Sequence, residues 1–246
     1  MIHVRIGFRF RIHELPIGYR LGVLSIIKEM VRSGSEKYFE EIFVKNKDEM
    51  KPFGYSTYIK NIVINDQKIK GDELIVTVSS SSYEWMMHLI NGSRKKKEYW
   101  YQDYSFTLIS KRLLPICKID KRIVTFSTKS PILLESKEKK PVLFFDEDFE
   151  KEFQYASSLL IEQLYHRKPF EPIRVLQTAM KKQVIKEYLH QVHGDPLYLT
   201  TSRGLIQLEG HQEDLQAIYD NGIGFRRSLG LGLLDVEGVT SNEWNK

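Results

Sequence analysis

The sequence predicts an α+β protein made of two tandem ferredoxin-like halves. Three observations carry that prediction. Apolar residues alternate with a period of two in some segments and recur at spacings of three and four in others. These segments follow one another in the order β-α-β-β-α-β, which is one ferredoxin-like unit. The same order then runs through a second time, with no visible sequence repeat between the halves.

In the first half, residues 2–12 alternate His3, Arg5 and Arg9 against Ile2, Val4 and Ile6, which is a strand pattern and not a secretory signal. Pro16 precedes a helix whose apolar stripe is Ile17, Leu21, Leu24, Ile27 and Val31, stopped by Ser33-Gly34. A charged, irregular stretch is expected to Met50. Residues 53–65 read as one long strand, with Asp66 and Gly71 bracketing a turn before a strand at 73–80. Ser81-Ser82 caps a helix ended by Asn91-Gly92, and residues 98–114 read as a strand rich in Tyr, Trp and Phe.

The second half begins with strand signals over 118–135, broken at Ser130-Pro131. Residues 146–167 carry a helical stripe of Phe149, Phe153, Ala156, Leu160 and Leu164, with acids in the first turn to suit the helix dipole. Residues 172–190 and 196–209 read as two strands joined at Gly194-Asp195-Pro196. A short helix at 211–220, a glycine-rich loop and a strand at 231–237 complete the unit. The domain boundaries fall at 1–115 and 116–239, and 240–246 is expected to be a flexible polar tail.

The chain has 246 residues and a formal net charge of +5, a lean toward a polyanionic partner. Acids gather at 36–49 and 146–152; bases gather at 94–97, 118–122, 167–174 and 181–186, and at Arg226 and Arg227. No run of 18 apolar residues is present, so no membrane partner is expected. The single cysteine, Cys117, leaves no internal disulfide and no multi-cysteine zinc site, and fits a reducing cytoplasm.

The motif with the most chemistry is Gly222-Ile-Gly224-Phe-Arg226-Arg227-Ser-Leu-Gly230-Leu-Gly232. Glycines permit close approach to a ligand backbone, exposed N–H groups bond phosphate oxygens, and the arginines add forked donors. A dinucleotide-binding reading fails, because here a helix precedes and a strand follows. The pattern, placed just before the last strand, resembles the C-terminal glycine-rich signature of the RAMP superfamily, and especially that of the CRISPR repeat-processing endoribonucleases. Lys51-Pro52-Phe53-Gly54-Tyr55-Ser56 resembles the Phe-x-Tyr-Ser strand opening of that family. Ser130-Pro131-Ile132 resembles its Ser-Pro-apolar segment.

The resemblance implies two RRM-like domains, binding of CRISPR repeat RNA and cleavage of precursor transcripts into guides. It implies 2′-OH attack that leaves a 2′,3′-cyclic phosphate, with no metal or cofactor, and hand-off to subunits of an interference complex. Monomer and homodimer both stay open. Many members place a histidine shortly after the first helix; here that stretch is Tyr38-Phe39-Glu40-Glu41, and Glu40 stands where the histidine is expected. The catalytic candidates are therefore Lys28 on the first helix and Lys51 before the Phe-x-Tyr-Ser-like strand, then Glu40 and Tyr38, with Arg32 and His13 behind them. The RNA-binding candidates are Arg226, Arg227, Gly222, Gly224, Gly230 and Gly232, with Lys181 and Lys182 on the family's β-hairpin. The missing histidine motivates an alternative, a non-catalytic repeat-RNA-binding relative serving as a structural subunit. A third reading, a ferredoxin-like scaffold unrelated to RNA, sits poorly with the glycine loop and its paired arginines. His190 and His193, set to opposite faces of a strand, make metal binding improbable.

Overall fold

The computed structural model describes residues 3–65, 68–188 and 196–238. In chain order the elements are β1 (Val4–Arg11), β2 (Glu14–Pro16), α1 (Arg20–Gly34), α2 (Glu36–Glu40) running into a π-helical turn (Glu41–Lys45), β3 (Gly54–Lys60), β4 (Val63–Ile64), β5 (Lys68–Lys70), β6 (Glu73–Ser80), α3 (Tyr83–Gly92), β7 (Glu98–Tyr101) and β8 (Tyr104–Leu113). Then come β9 (Ile123–Thr128), β10 (Leu134–Glu135), β11 (Pro141–Val142), α4 (Phe149–Tyr165), β12 (Arg174–Glu187), β13 (Leu197–Glu209), α5 (Gln212–Asn221), a 3-10 turn (Arg227–Leu229) and β14 (Leu234–Val236).

The first large sheet has the order β3-β6-β1-β8-β7 and the second β12-β13-β9-β14, all paired antiparallel. With β7 set aside, both follow the same plan: the first strand of each unit is central, flanked by the third and fourth. This is the tandem ferredoxin-like arrangement. Helices α1 and α3 cover one face of the first sheet through Val23, Ile26, Met30, Trp85 and Leu89; α4 and α5 cover the second through Phe153, Leu160, Leu215 and Ile218.

Four stretches depart from the sequence reading, each for a local reason. Residues 36–45 are helical and not irregular. The Ser35 hydroxyl caps α2 by accepting from the Tyr38 N–H at 3.2 Å, and Phe39 and Phe43, four apart, pack with ring centroids 5.2 Å apart. The expected strand at 53–65 stops at Lys60, because Asn61 takes a left-handed φ of 55°. Beyond it β4 and β5 join β2 in a separate three-stranded sheet. Residues 98–114 form a hairpin with Tyr101 opposite Tyr104, turning through Gln102 at φ 53°. In the second half, 123–128 of the expected 118–135 forms a strand of the large sheet and Ile132 makes a single bridge to Ser202; 134–135 pairs with 141–142. The turn at 194–195, the residues His190 and His193, and the tail at 240–246 lie outside the described residues, as does Asp66.

Strands β12 and β13 run well past the end of β9, which meets β13 only over Leu205–Glu209. The overhang forms an arm that reaches the first half. There the fully buried Glu187 carboxylate meets the Arg20 guanidinium, 3.2 Å away at the start of α1. The second tie between the halves is Arg5, 2% exposed. It donates to the Tyr219 and Leu234 carbonyls at 3.0 Å each, to the Asp235 carboxylate at 3.2 Å and to the Ser79 hydroxyl at 3.4 Å. Its guanidinium also sits 4.2 Å from the Tyr219 ring centroid. Removing it strands those acceptors in a buried seam. Arg5→Ala is expected to lower the unfolding free energy by about 3–5 kcal/mol. Urea denaturation reads this directly, and an effect under about 1 kcal/mol would mean the seam is held elsewhere.

Candidate nucleic-acid interface and active site

The segment Lys51 to Ser56 is the floor of the candidate site, and nearly every residue in it is held from another element. The Lys51 carbonyl accepts from Arg227 Nη2 at 3.0 Å, and the Pro52 carbonyl from the Ser80 hydroxyl. Phe53 stacks on Trp85 of α3 with centroids 4.3 Å apart and planes 12° from parallel. Gly54 lies so close to Asn221 that an added Cβ would stand 2.6 Å from its carbonyl oxygen. Tyr55 is wholly buried; its hydroxyl donates to the Arg20 carbonyl at 2.9 Å, and burial drives its pKa well up.

This floor brings the two lysines together. Lys28 extends from α1 with its ammonium 5.2 Å from the Phe43 ring, on the flank of the aromatic run Phe39, Phe43 and Phe53. The Lys51 ammonium donates to the Asn46 carbonyl. Both pKa values are pushed down. For Lys28, burial is the main cause and the Arg32 charge adds to it. For Lys51, burial again leads and the Lys28 charge adds, while Glu49 and Asp48 pull the other way.

The remaining candidates are placed differently. Glu40 is exposed at the end of α2. Tyr38 turns toward α3, where its ring lies 4.6 Å from that of His88, and burial raises its pKa to about 12. Arg32 covers the Phe39 ring at 3.9 Å and pairs with Glu36 at 3.4 Å. His13 is exposed beside β2. The histidine that space brings to this region is thus His88, fifty residues from Tyr38 in sequence and silent to any local pattern.

The glycine-rich loop packs closely on the protein itself. Gly222, Gly230 and Gly232 are buried, and the space they leave is filled by the protein itself. A Cβ on Gly232 would fall 1.8 Å from the Ile223 carbonyl oxygen, one on Gly222 2.9 Å from that of Gly232, and one on Gly230 2.5 Å from the Tyr55 ring. A Cβ on Gly224 would meet the Leu133 carbonyl at 2.5 Å. All four have positive φ. The N–H of Gly232 bonds to the Pro131 carbonyl and that of Gly230 to the Arg227 carbonyl, at 2.8 and 3.0 Å, so neither is offered to a phosphate. Arg227 also faces inward, 5% exposed, donating to the Asn221 carbonyl at 2.6 Å as well as to Lys51; burial pulls its pKa down to about 10. Arg226 is different. It is half-buried, holds a left-handed φ of 55° without being glycine, and its buried Nε has no hydrogen-bond partner.

Lys181 and Lys182 are exposed on β12 and point to opposite faces, paired in register with Arg203 and Ser202. Of the aromatic strand residues, Tyr99 and Phe106 belong to the core with Phe10, whereas Trp100 is exposed. In the basic run after α3, Lys95 donates to the Ser33 carbonyl at the end of α1 and Lys96 pairs with Glu29, both at 2.6 Å. Among the described residues no helix is long and apolar enough to cross a membrane, and no group of three or more His, Cys, Asp or Glu side chains is placed to hold a metal ion.

The family model described as CRISPR associated protein Cas6, C-terminal, matches residues 114–236, half of the chain. The chain belongs to this family. The fold extends the likeness to the whole length. A solved structure named CRISPR associated protein Cas6 superposes with a TM-score of 0.72 at 18% identity, covering 96% of this chain and 99% of its own. The product of a Cas6-related gene from Pyrococcus furiosus gives 0.74 at 21% identity, covering 95% and 100%. A RAMP protein described as binding different RNA substrates gives 0.75 at 20%, covering 95% and 99%. No curated protein matches the sequence itself.

The Arg227 clamp is testable apart from any RNA. Arg227→Ala removes two charge-assisted bonds to buried carbonyls and is expected to cost about 3 kcal/mol of stability. Thermal and urea unfolding measure this. A neutral outcome would show that Lys51 is positioned without it.

Proposed function

We propose that this protein is a metal-independent endoribonuclease that binds CRISPR repeat RNA and cuts precursor transcripts into guides. The observation that supports this most is the convergence of Lys28 and Lys51, both with depressed pKa, on a floor clamped from the glycine-rich loop. A lowered pKa lets one amine of the pair be neutral while the other keeps its proton. The neutral amine takes the proton from the ribose 2′-OH. The 2′-oxygen then forms its bond to phosphorus, and the P–O5′ bond breaks. The ammonium partner steadies the phosphoryl charge and gives its proton to the departing 5′-oxygen. The product ends in a 2′,3′-cyclic phosphate. Arg226, the partly exposed arginine of the pair, is the loop's phosphate contact, and Lys181 and Lys182 hold RNA on the arm. A likeness to a protein described as binding different RNA substrates agrees with this reading.

The test is cleavage of the cognate repeat in EDTA, with and without a 2′-deoxy nucleotide at the cut site. The ribose substrate is expected to be cut and the deoxy form to survive. Lys28→Ala and Lys51→Ala should each slow single-turnover cleavage by about 10²–10⁴-fold. The pH profile carries a sign. Each lysine holds its proton below its own folded pKa and loses it above, and both folded values lie under the ordinary 10.5. The rate should therefore rise as the first amine deprotonates and fall as the second does, with the fall beginning below 10.5. A profile flat through that range would argue against lysine acid-base chemistry.

One observation favours a second reading. Glu40 stands, exposed, where the resemblance places a histidine. Tight repeat binding with no cyclic-phosphate product would make the chain a non-catalytic RNA carrier in an effector complex.

A further inference from the structure

Strand β4 ends the small sheet β2-β5-β4, and its outer edge is open. Around it the sequence reads Asn61-Ile62-Val63-Ile64-Asn65, the same in both directions about Val63. All three apolar side chains are exposed, by 49%, 56% and 64% in chain order. Open strand edges are usually guarded by a lysine, a proline or a bulge. Residues 61–65 hold no charge and no proline. Lys68, on the strand behind, is paired with Glu14 at 2.7 Å.

Backbone parity decides which groups face outward. The Asn65 N–H donates to the Lys68 carbonyl at 2.9 Å, and Val63 stands opposite Lys70 in the same register. In an antiparallel ladder such hydrogen-bonded positions alternate with ones that turn their N–H and C=O the other way. Asn65 and Val63 therefore face β5, and Ile62 and Ile64 present their backbone groups to the open edge. Side chains alternate as well. Ile64 lies opposite Ile69, and Ile69 opposite Leu15, both buried, so Ile62 and Ile64 prolong an apolar layer. Val63 lies on the other face with Lys70 and Glu14.

We propose that β4 pairs with β4 of a second copy of this chain, antiparallel and centred on Val63. A two-fold axis through Val63 sets Ile62 of each copy opposite Ile64 of the other. Each of these pairs exchanges both of its N–H···O bonds, and the two Val63 side chains meet at the axis as a non-hydrogen-bonded pair. This register alone sets the outward groups of Ile62 and Ile64 against one another. It joins two three-stranded sheets into one of six. The contact is isologous, so it closes at two copies and does not run on into a filament. Charge does not oppose it. Lys70, in line behind Val63, comes about 14 Å from its counterpart, three strand spacings, which is beyond the screening length of about 8 Å. The pairing needs no RNA and stands apart from the functional reading above.

Sedimentation velocity on the RNA-free full chain reads the mass directly. The interface is small beside those of stable complexes, so the dimer fraction should climb between about 1 and 100 μM protein. The double variant Ile62→Lys with Ile64→Lys, altered only at exposed side chains, should stay monomeric over that range with an unchanged circular dichroism spectrum. Cross-linking in a Cys117→Ser background reads the register. Val63→Cys places two thiols at the axis, with Cα atoms about 4.5 Å apart, and should oxidise to a disulfide-linked dimer. Ile62→Cys sets them on a diagonal too long to bridge and should link at least about tenfold more slowly. A wild-type chain that is monomeric throughout overturns the proposal and leaves the edge to a different protein. A dimer that persists in the lysine variant overturns it too, as does a Val63→Cys chain that links no faster than Ile62→Cys.

Discussion

A guanidinium removed from water must recover its hydrogen bonds from the protein, and Arg5 recovers most of them from the far end of the chain. Its acceptors Tyr219, Leu234 and Asp235 are more than 200 positions away. Asp235 serves Lys129 as well, at 3.1 Å, and Ser79, beside Arg5 on the neighbouring strand, donates to the Asp220 carbonyl at 2.6 Å. The seam is therefore polar, specific and buried. A hydrophobic contact would tolerate sliding of one half on the other, but a fork of directed donors does not. Everything at the candidate site inherits this fixed geometry, because Lys28 and Lys51 come from one half and Arg226 and Arg227 from the other.

The order of the major elements was legible because burial on one face writes a period into the sequence. Ile6, Phe8 and Phe10 face the helices of the first half, and their neighbours Arg5, Gly7 and Arg9 face away. What escaped reading were places where one residue redirects the chain. Asn61 and Gln102 adopt left-handed backbone without being glycine, so neither marked its turn. The helix at 36–45 rests on two phenylalanines and a serine cap inside a charged stretch, too few apolar positions to show a stripe. The long β12 strand, in contrast, was read correctly against its good helix formers, since a paired partner overrides intrinsic propensity.

The candidate site divides along the same line. Lys28 and Lys51 could be nominated by resemblance, but only the fold shows that burial lowers the proton affinity of both and that the Lys28 charge adds to the effect on Lys51. The glycine-rich loop was visible as a motif, but what its glycines pack against was not. Its glycines admit the protein's own carbonyls and the Tyr55 ring, and one of its two arginines serves the Lys51 carbonyl. Adjacent arginines look alike in sequence; with a left-handed turn at Arg226, Arg227 is buried and its neighbour stays half-exposed.

The Arg20–Glu187 pair has a consequence for how such a chain can change over generations. Glu187 is wholly buried, and one of its carboxylate oxygens already lacks a hydrogen-bond partner. A substitution at either position alone leaves an ion stranded out of water, which is among the costliest single changes a protein can suffer. Lineages can therefore cross from this pair to an apolar one only by changing both positions closely together. The tip of the arm and the start of α1 are bound to drift as one unit, while exposed side chains along the arm such as Lys181, Lys182 and Arg203 are at liberty to change singly.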